Sequence, residues 1–398
     1  MRRLLFLSSA IVFFDTLFFT ALTPLLPHYA HALDLGKTGA GVLAAAYPVG
    51  TLVGAIPSGI VAARLGVKPT VLGGLICVAT CTILFGIGNA AWELDTARFV
   101  QGLASSFSWT GALAWLVAGT PRSRRGQTIG TSFAFAAGGA LFGPVLGAVA
   151  SQAGIRTTFI VIGAASLGLA LWAATTPSER PDNPQPLRML GAAFRDGEIM
   201  LGFWFVVLPG LLFGTLSVLA PLRMSKLGFG AVPIGGAFLL AAAAETIANP
   251  IIGRLSDRHG PATPLRAGLV GSLIVAALLP WPDNRFEVAV LVVVGGLAFG
   301  SFFTPGMTMM SNAGERIGLD YGYAFALVSL AWAPGEAGGA AGGGALAHAT
   351  SDTVPYLILA GVCALTLAAR WRRRTSTDWT VLSVQASSAP SQPTTGDG

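Results

Sequence analysis

Long apolar runs separated by short polar segments dominate the chain. A helix needs about 20 apolar residues to cross the roughly 30 Å hydrocarbon core of a bilayer, and about twelve runs are that long. The strands of a membrane barrel would be shorter and would alternate apolar with polar residues. The pattern therefore predicts an all-α integral membrane protein with helices near 4–26, 38–63, 69–90, 93–119, 127–151, 157–176, 199–222, 231–253, 263–281, 286–312, 317–347 and 353–371.

A polar connector between the sixth and seventh predicted helices divides the chain into two halves. A shift of 194 residues superimposes positions of the two halves: Gly59 and Gly253, Arg64 and Arg258, Gly66 and Gly260, Pro27 and Pro221, and Gly41 and Gly235. Such a repeat is typical of transporters built from two bundles around a central cavity. We predict two pseudo-symmetric six-helix bundles over 1–176 and 199–371, a linker over 177–198 and a disordered tail over 372–398.

The basic residues fall mostly on one side of the predicted membrane. With the N-terminus inside the cell, eighteen Lys and Arg residues face the cytoplasm and five face outward. By the positive-inside rule we predict a cell-membrane protein with both termini and the linker in the cytoplasm. The net charge of +6 reflects this topology, so it gives little support for nucleic-acid binding, and we expect a monomer in the lipid bilayer.

The first apolar run also resembles a signal peptide, because Arg2 and Arg3 precede it and Ala30-His31-Ala32 resembles a cleavage site. The run is too long for that role and carries an acid, so we interpret it as a membrane span. The three cysteines lie inside spans and show no zinc spacing, and His28 and His31 have no obvious partner acid. We therefore predict neither a metal site nor a cofactor.

Three acids lie within the spans: Asp15, Glu245 and Glu336. Asp15 is about 16 Å along a helix from Leu4, near the middle of the membrane. Ionisable groups at that depth usually face a bundle interior or a water-filled cavity, which favours a proton-binding or substrate-binding site. The alternative is structural, with each acid protonated and bonded to a neighbour.

Aromatic residues accompany these acids on the predicted helix faces. Phe18 and Phe19 follow Asp15 by three and four residues, Trp332 precedes Glu336 by one turn, and Asn249 follows Glu245 by one turn. We predict cavity-lining roles for Phe14, Phe18, Phe19, Tyr47, Trp109, Trp332 and Asn249. Rings beside a carboxylate suit a lipophilic cation, whereas a sugar would call for more amide side chains.

Two loops repeat a pattern of glycine and charge. The segment from Gly59 to Lys68 contains Arg64 and Gly66, and its copy contains Gly253, Asp257, Arg258 and Gly260. These loops resemble the signature loop of the major facilitator superfamily, which implies a gating role for them. The family usually has Asp where Ala63 stands, which weakens the expected charge relay in the first half. Basic interfacial loops that only satisfy the positive-inside rule are the alternative.

Two further motifs resemble those of the same family. Arg98 and Gln101-Gly102 match its Arg-x-x-Gln-Gly motif, which places Arg98 and Gln101 on one helix face. The alternative is an arginine that extends to the outer surface. In the fifth span, the spacing of Gly130, Gly139, Gly143, Pro144 and Gly147 resembles the motif of the antiporter branches, except that Ala148 replaces the last glycine.

Glycines at this spacing remove side chains from one stripe of a helix, so that another helix can pack closely, and Pro144 adds a bend. The eleventh span carries a matching stripe at Gly335, Gly339, Gly343 and Gly344. Generic helix packing, without any role in antiport, is the alternative.

The resemblance implies a proton-coupled antiporter that exports a lipophilic, cationic small molecule by alternating access, through a cavity lined by spans 1, 2, 4, 5, 7, 8, 10 and 11. We expect Asp15 to carry the proton, Arg98 to tune it and Glu336 to pair with the substrate. A sugar or metabolite carrier is the alternative within transport. A receptor or an intramembrane enzyme is disfavoured, because the tail is short and no nucleophile and base occur together near the acids.

Overall fold

The computed structural model describes residues 2–121, 124–178, 188–260, 262–319 and 321–372. All regular structure in these ranges is helical. The first predicted span is α1 (Arg2–Thr20), continued by a 3₁₀ turn (Thr23–Leu25) and α2 (Leu26–Ala32). The next five spans are α3 (Gly36–Leu65), α4 (Val67–Ile87), α5 (Ala91–Ala118), α6 (Arg125–Ala153) and α7 (Ile155–Ala174).

The second half repeats this arrangement after the short α8 (Arg188–Ala193). Its six spans are α9 (Gly197–Lys226), α10 (Ala231–His259), α11 (Ala262–Leu278), α12 with α13 (Arg285–Gly300, Phe303–Arg316), α14 with α15 (Tyr321–Ala337, Gly343–Ala349), and α16 (Thr353–Arg372). A π-helical segment, Gly338–Gly342, joins α14 to α15. The prediction of twelve membrane-spanning helices in an all-α fold is confirmed.

Within the described ranges, eight helical stretches are long and apolar enough to cross a membrane by length and composition alone, and α11 and α16 are shorter apolar helices. The central part of the predicted linker and the predicted disordered tail, 179–187 and 373–398, lie outside the described residues. We call the side of the bundle where α1 begins the terminal face, and the other side the opposite face.

The glycine stripe of α6 packs directly on α1. A Cβ atom on Gly139 would collide with the carbonyl oxygen of Phe13, and one on Gly147 would collide with that of Ala21. On Gly143, a Cβ atom would lie 2.8 Å from the carbonyl oxygen of Leu17. These contacts agree with the close helix packing that the glycine stripe predicted.

The second half builds the same contact between α14 and α9. A Cβ atom on Gly335 would collide with the carbonyl oxygen of Val207, and one on Gly339 would collide with that of Leu211. Phe13 and Leu17 map onto Val207 and Leu211 by the shift of 194 residues found in the sequence. The internal repeat is therefore present in helix packing as well as in the motif loops.

The two halves meet through two equivalent close approaches near the opposite face. Gly41 of α3 lies against Ala340 and Gly344, and Gly235 of α10 lies against Pro144 and Ala148 of α6. The shift of 194 residues relates Gly41 to Gly235, and a shift of 196 relates Pro144 and Ala148 to Ala340 and Gly344. The small residues at these positions allow the backbones of opposite halves to touch.

The helix ends at the terminal face are less closely joined. Neither Gly59 nor Gly253 has another described residue within 4 Å of where a Cβ atom would lie, and the same holds for Gly130. Deeper toward the middle, Phe325 of α14 packs across the halves against an apolar group that includes Val12, Leu113 and Ala136. The closest backbone contacts between the halves therefore lie toward the opposite face.

Candidate functional site

Asp15 lies in the interior of the first half, where α1, α3 and α5 meet. Its side chain is only 8% exposed. Oδ2 accepts a hydrogen bond from the Ser105 hydroxyl at 2.7 Å and lies 3.1 Å from the Tyr47 hydroxyl. Oδ1 is buried and has no hydrogen-bond partner among the described residues. A buried carboxyl oxygen without a partner is costly, so this atom is placed to take a proton or a ligand.

Arg98 is buried beside this group instead of reaching the membrane surface. Its guanidinium donates to the carbonyl oxygens of Phe18 and Phe19 at 3.1 Å each, and to Gln101 Oε1 at 2.8 Å. Gln101 in turn donates to the Thr82 hydroxyl at 2.8 Å. The predicted pairing of Arg98 with Gln101 on one helix face is therefore observed, and the surface-reaching alternative does not describe this side chain, which is 2% exposed.

No ion pair joins Arg98 to Asp15 in the described part of the chain. The two groups are linked through Tyr47, because the guanidinium carbon of Arg98 lies 4.8 Å from the centre of the Tyr47 ring. A cation over an aromatic face is stabilised electrostatically. Main-chain carbonyls and a ring therefore surround the arginine, and its predicted tuning of Asp15 stays a prediction.

Three aromatic rings connect Asp15 to the second half of the molecule. Phe19 of α1 packs on Tyr47, with ring centres 5.2 Å apart, and contacts Trp332 of α14 edge-on at 5.1 Å. T-shaped ring pairs at this distance are favourable beyond the area that they bury. Phe19, Tyr47 and Trp332, which we call the aromatic bridge, thus cross from one half to the other beside two buried acids.

Glu336 is the acid on the far side of the aromatic bridge, one helical turn after Trp332. It is 4% exposed. No described residue donates a hydrogen bond to its carboxylate or forms an ion pair with it. Gly210 and Gly214 of α9 lie against its backbone, and a Cβ atom on Gly210 would be 2.9 Å from its nitrogen. Because these glycines have no side chains, α14 packs closely on α9, and they offer no side-chain donor to the Glu336 carboxylate.

Glu245 and Asn249 face a different part of the second half. A Cβ atom on Gly300 would lie 2.5 Å from the Glu245 carboxyl carbon, so this acid points toward α12. Asn249 Oδ1 accepts a hydrogen bond from Thr304 of α13 at 3.2 Å. Both residues therefore lie against the tenth span, and in the described structure neither forms a hydrogen bond with the aromatic bridge.

Two predicted cavity-lining residues pack within the first half. Phe18 is 2% exposed and packs with Val78 and Ala104, and Phe14 packs against the same group. Phe19 is the residue of α1 that contacts Trp332, because successive residues on a helix turn by about 100°. The cavity-lining roles of Phe14 and Phe18 stay predictions. Trp109 lies closer to the terminal face, 6.1 Å from the ring of Phe133, within the apolar group around Phe325.

Ser105 and Phe325 belong to this region but were missed by sequence reasoning. Ser105 donates the shortest hydrogen bond to Asp15, and a cluster of small hydroxyl residues in an otherwise apolar span was the available signal. Phe325 is one of 23 phenylalanines, and nothing in the sequence distinguishes it from those that face lipid.

The repeated motif loops form matching turns at the terminal face. Gly66 ends α3 with φ of 96° and Gly260 ends α10 with φ of 77°, a left-handed conformation that glycine adopts without strain. Arg64 and Arg258 are exposed. The side chain of Asp257 lies outside the described part of the structure. Among the described residues, no three His, Cys, Asp or Glu side chains are grouped to hold a metal ion.

The sequence model that defines the Major Facilitator Superfamily matches residues 8–335 and 234–392 of the chain. The chain belongs to this superfamily. Its alignment with the multidrug resistance protein MdtG of Salmonella arizonae is 24% identical and covers 90% of this chain and 93% of MdtG. With the human synaptic vesicular amine transporter it is 25% identical, covering 73% of this chain and 58% of the relative.

A shorter match, 30% identical over 146 residues, links the chain to the MFS-type transporter ppzB of Metarhizium rileyi, and it spans only 28% of that protein's length. Among solved structures, a bacterial homolog of the human lysosomal transporter Spinster, crystallised in an inward-facing and unoccupied conformation, superimposes with a TM-score of 0.74. That alignment covers 92% of this chain and 95% of the homolog at 14% identity, so it shows the fold alone. This superfamily member is a multi-pass membrane protein.

Proposed function

We propose that this transporter exports a lipophilic, cationic small molecule in exchange for protons, with Asp15 and Glu336 as the two acidic groups. The observation that carries the proposal is the position of these carboxyl groups on either side of the aromatic bridge, one from each half. Each is more than nine-tenths buried. Oδ1 of Asp15 has no hydrogen-bond partner among the described residues, and the Glu336 carboxylate forms no ion pair with any of them.

A buried carboxyl group supports exchange because it can hold either a proton or a cation, but not both at once. Burial disfavours the charged form and so favours a proton on the empty site, and a cation near the carboxylate displaces that proton. Aromatic rings around the site add about 0.5–2 kcal/mol for a bound cation, the more so as water is excluded. The rings of Phe19, Tyr47 and Trp332 supply these surfaces at the boundary between the halves.

Alternating access requires that the two halves move against each other around this site. The close glycine contacts at the opposite face and the free Gly59 and Gly253 at the terminal face correspond to a conformation more closed at the opposite face. By the distribution of basic residues, we assign the terminal face, with both termini, to the cytoplasm of the cell membrane. The transporter then works as a monomer, with no nucleic-acid partner.

The pH gradient drives an exchange of one proton for one monovalent cation, because such an exchange moves no net charge across the membrane. A second coupled proton would add the membrane potential as a driving force, worth about 2.3 kcal/mol per charge per 100 mV. The names of two relatives, a multidrug resistance protein and a vesicular amine transporter, support a lipophilic amine or cation as the substrate. The aromatic and carboxylate lining is a poorer fit for a sugar, whose hydroxyl groups need many hydrogen-bonding partners.

Transport of tetraphenylphosphonium into proteoliposomes with an imposed pH gradient tests the proposal. The wild type should accumulate the cation against its gradient, whereas Asp15→Asn should exchange it only downhill, because a neutral amide mimics the protonated acid and releases no proton. Thr80→Ala is the matched control, because this exposed residue of α4 donates only to the Ile76 carbonyl of its own helix. Wild-type protein that accumulates no cation, or Asp15→Asn that accumulates it normally, would overturn this assignment.

A further inference from the structure

Tyr47 is the residue that joins the charged group and the aromatic bridge. It lies in α3, is 3% exposed, and forms contacts through both its hydroxyl and its ring. The hydroxyl lies 3.1 Å from Asp15 and 2.8 Å from Ser105, while the ring packs under Arg98 at 4.8 Å and against Phe19 at 5.2 Å. Asp15 and Arg98 are the only ionisable side chains that the described structure places against it.

The Tyr47 hydroxyl has one proton to donate, and the protonation state of Asp15 decides which oxygen accepts it. When Asp15 is ionised, its Oδ2 accepts from Ser105, and the single Tyr47 proton is donated either to the same Oδ2 at 3.1 Å or to the Ser105 hydroxyl oxygen at 2.8 Å. When Asp15 is protonated, the carboxyl group becomes a donor and one of the two hydroxyl groups must accept from it. The proton of Asp15 is thereby linked to the orientation and position of the Tyr47 side chain.

The Tyr47 ring carries this change toward the second half. It touches Phe19, and Phe19 touches Trp332, which is one turn before Glu336. The backbone of Tyr47 is also tightly held, because Thr51 donates to its carbonyl oxygen at 3.1 Å and a side chain on Gly102 would collide with that oxygen. In a densely packed interface, small shifts are transmitted and seldom absorbed.

The same helix reaches the close contact between the halves. Gly41 lies six residues before Tyr47 on α3, about 9 Å along the axis, and its backbone touches Ala340 and Gly344 of the second half. A displacement of α3 at Tyr47 therefore acts on the main contact between the halves at the opposite face.

We propose that Tyr47 is the positioning residue that couples the proton on Asp15 to the contact between the two halves, through its hydroxyl on one side and the Phe19–Trp332 ring pair on the other. This inference rests on the proposed exchange of protons for a cation. It adds that cation binding and its coupling to the proton are separable, because Tyr47 links Asp15, which holds the proton, to the rings beside Glu336, which hold the cation.

The test compares Tyr47→Phe with the wild type, using tetraphenylphosphonium as the probe. Removing the hydroxyl keeps the ring contact, so binding of the cation should weaken by no more than about threefold. Accumulation driven by the pH gradient should fall by about tenfold or more, as expected for loss of one hydrogen bond to a charged group. The pH at which binding is half-maximal should shift upward, because the ionised carboxylate loses a donor.

Tyr356→Phe is the matched control, since this tyrosine of α16 is also 3% exposed but packs in the core of the second half. It should leave accumulation and the pH profile unchanged. If Tyr47→Phe does not insert, Phe19→Leu provides a second test, because it retains the hydroxyl and removes the ring contact. At cation concentrations that saturate this variant, it should still release protons on binding but should not accumulate the cation.

The outcomes separate this inference from the proposed function. Wild-type protein without accumulation would contradict the exchange itself. The role of Tyr47 would be overturned if Tyr47→Phe and Phe19→Leu both accumulated the cation as the wild type does, with an unshifted pH profile. Proton exchange itself would then remain in place. A loss in Tyr356→Phe equal to that in Tyr47→Phe would also overturn it, because any buried tyrosine would then serve.

Discussion

The backbones of Gly41 and Gly344 touch across the boundary between the two halves. A Cβ atom on Gly41 would lie 3.3 Å from the Cα of Gly344, and one on Gly344 would lie 3.1 Å from the Cα of Gly41. Both distances are shorter than ordinary contacts between carbon atoms. The closed opposite face therefore depends on the absence of side chains at these two positions.

Gly41→Val should hold the opposite face partly open and reduce transport of tetraphenylphosphonium by tenfold or more, since the backbone of Ala340 leaves the new side chain no space. Labelling of a single cysteine introduced at Ala347, which is 2% exposed and lies against Lys37 of the first half, reports this opening in a protein without its natural cysteines. Gly73→Val on α4 is the matched control, because nothing lies within 4 Å of its Cβ position. Equal labelling in both variants would contradict the predicted role.

Lys37 and Asp352 form an ion pair across the same face, with Nζ and Oδ1 2.5 Å apart and both side chains about one-fifth exposed. Because water screens such a pair, Lys37→Ala should shift the balance between conformations by about 1 kcal/mol or less. The labelling rate at the opposite face should rise up to about fivefold, and the difference should shrink in high salt. The reversed pair Lys37→Asp with Asp352→Lys should restore slow labelling, and a faster rate in that double variant would argue against a direct pair.

Asp196 stabilises the start of α9 and should make stability depend on acid. Its carboxylate accepts from the amides of Glu198 and Ile199 at 2.9 and 3.1 Å and pairs with Arg316 at 2.7 Å. Slight burial acts to raise the pKa of Asp196, but the hydrogen bonds from Ile199 and Arg316 outweigh it and hold that pKa below its usual range.

Because the pKa of Asp196 is lower in the folded state, its stabilising contribution is present above the unfolded-state pKa, about 3.9, and is lost as pH falls through the folded-state value. Asp196→Asn should therefore melt at a lower temperature than the wild type at pH 7, and the two should converge below about pH 4. The melting temperature in detergent measures this. If the difference in melting temperature between the two proteins grew on acidification, the predicted direction of the pH dependence would be wrong.

Glu336→Gln should separate charge from shape in substrate recognition. The substitution retains side-chain size beside Trp332 but removes the negative charge, so affinity for tetraphenylphosphonium should fall by about tenfold or more. Affinity for neutral triphenylphosphine oxide should change by less than about twofold. Isothermal titration with both compounds checks this, and equal weakening of the two would show that Glu336 supports the pocket only structurally.

Much of the architecture was predictable because it rests on local patterns. Apolar runs predicted twelve spans, and the glycines of α6 predicted a close helix contact, since both depend on spacing within one segment. The partners of the site residues depend on how different helices turn toward each other. Arg98 is buried beside the Asp15 group, as expected, but its bonds to the backbone of α1 could not be predicted. Phe18 packs inside the first half, while Phe19, the next residue, contacts Trp332 of the second half.

Release of protons on cation binding tests the exchange of a proton for a cation most directly. Purified protein in a weakly buffered detergent solution near pH 7 is mixed with tetraphenylphosphonium, and the pH of the solution is followed with a dye. The wild type should acidify the solution, Asp15→Asn should release fewer protons at equal binding, and triphenylphosphine oxide should release none. Saturable binding of the cation to the wild type without any proton release would contradict competition between proton and substrate at these carboxyl groups.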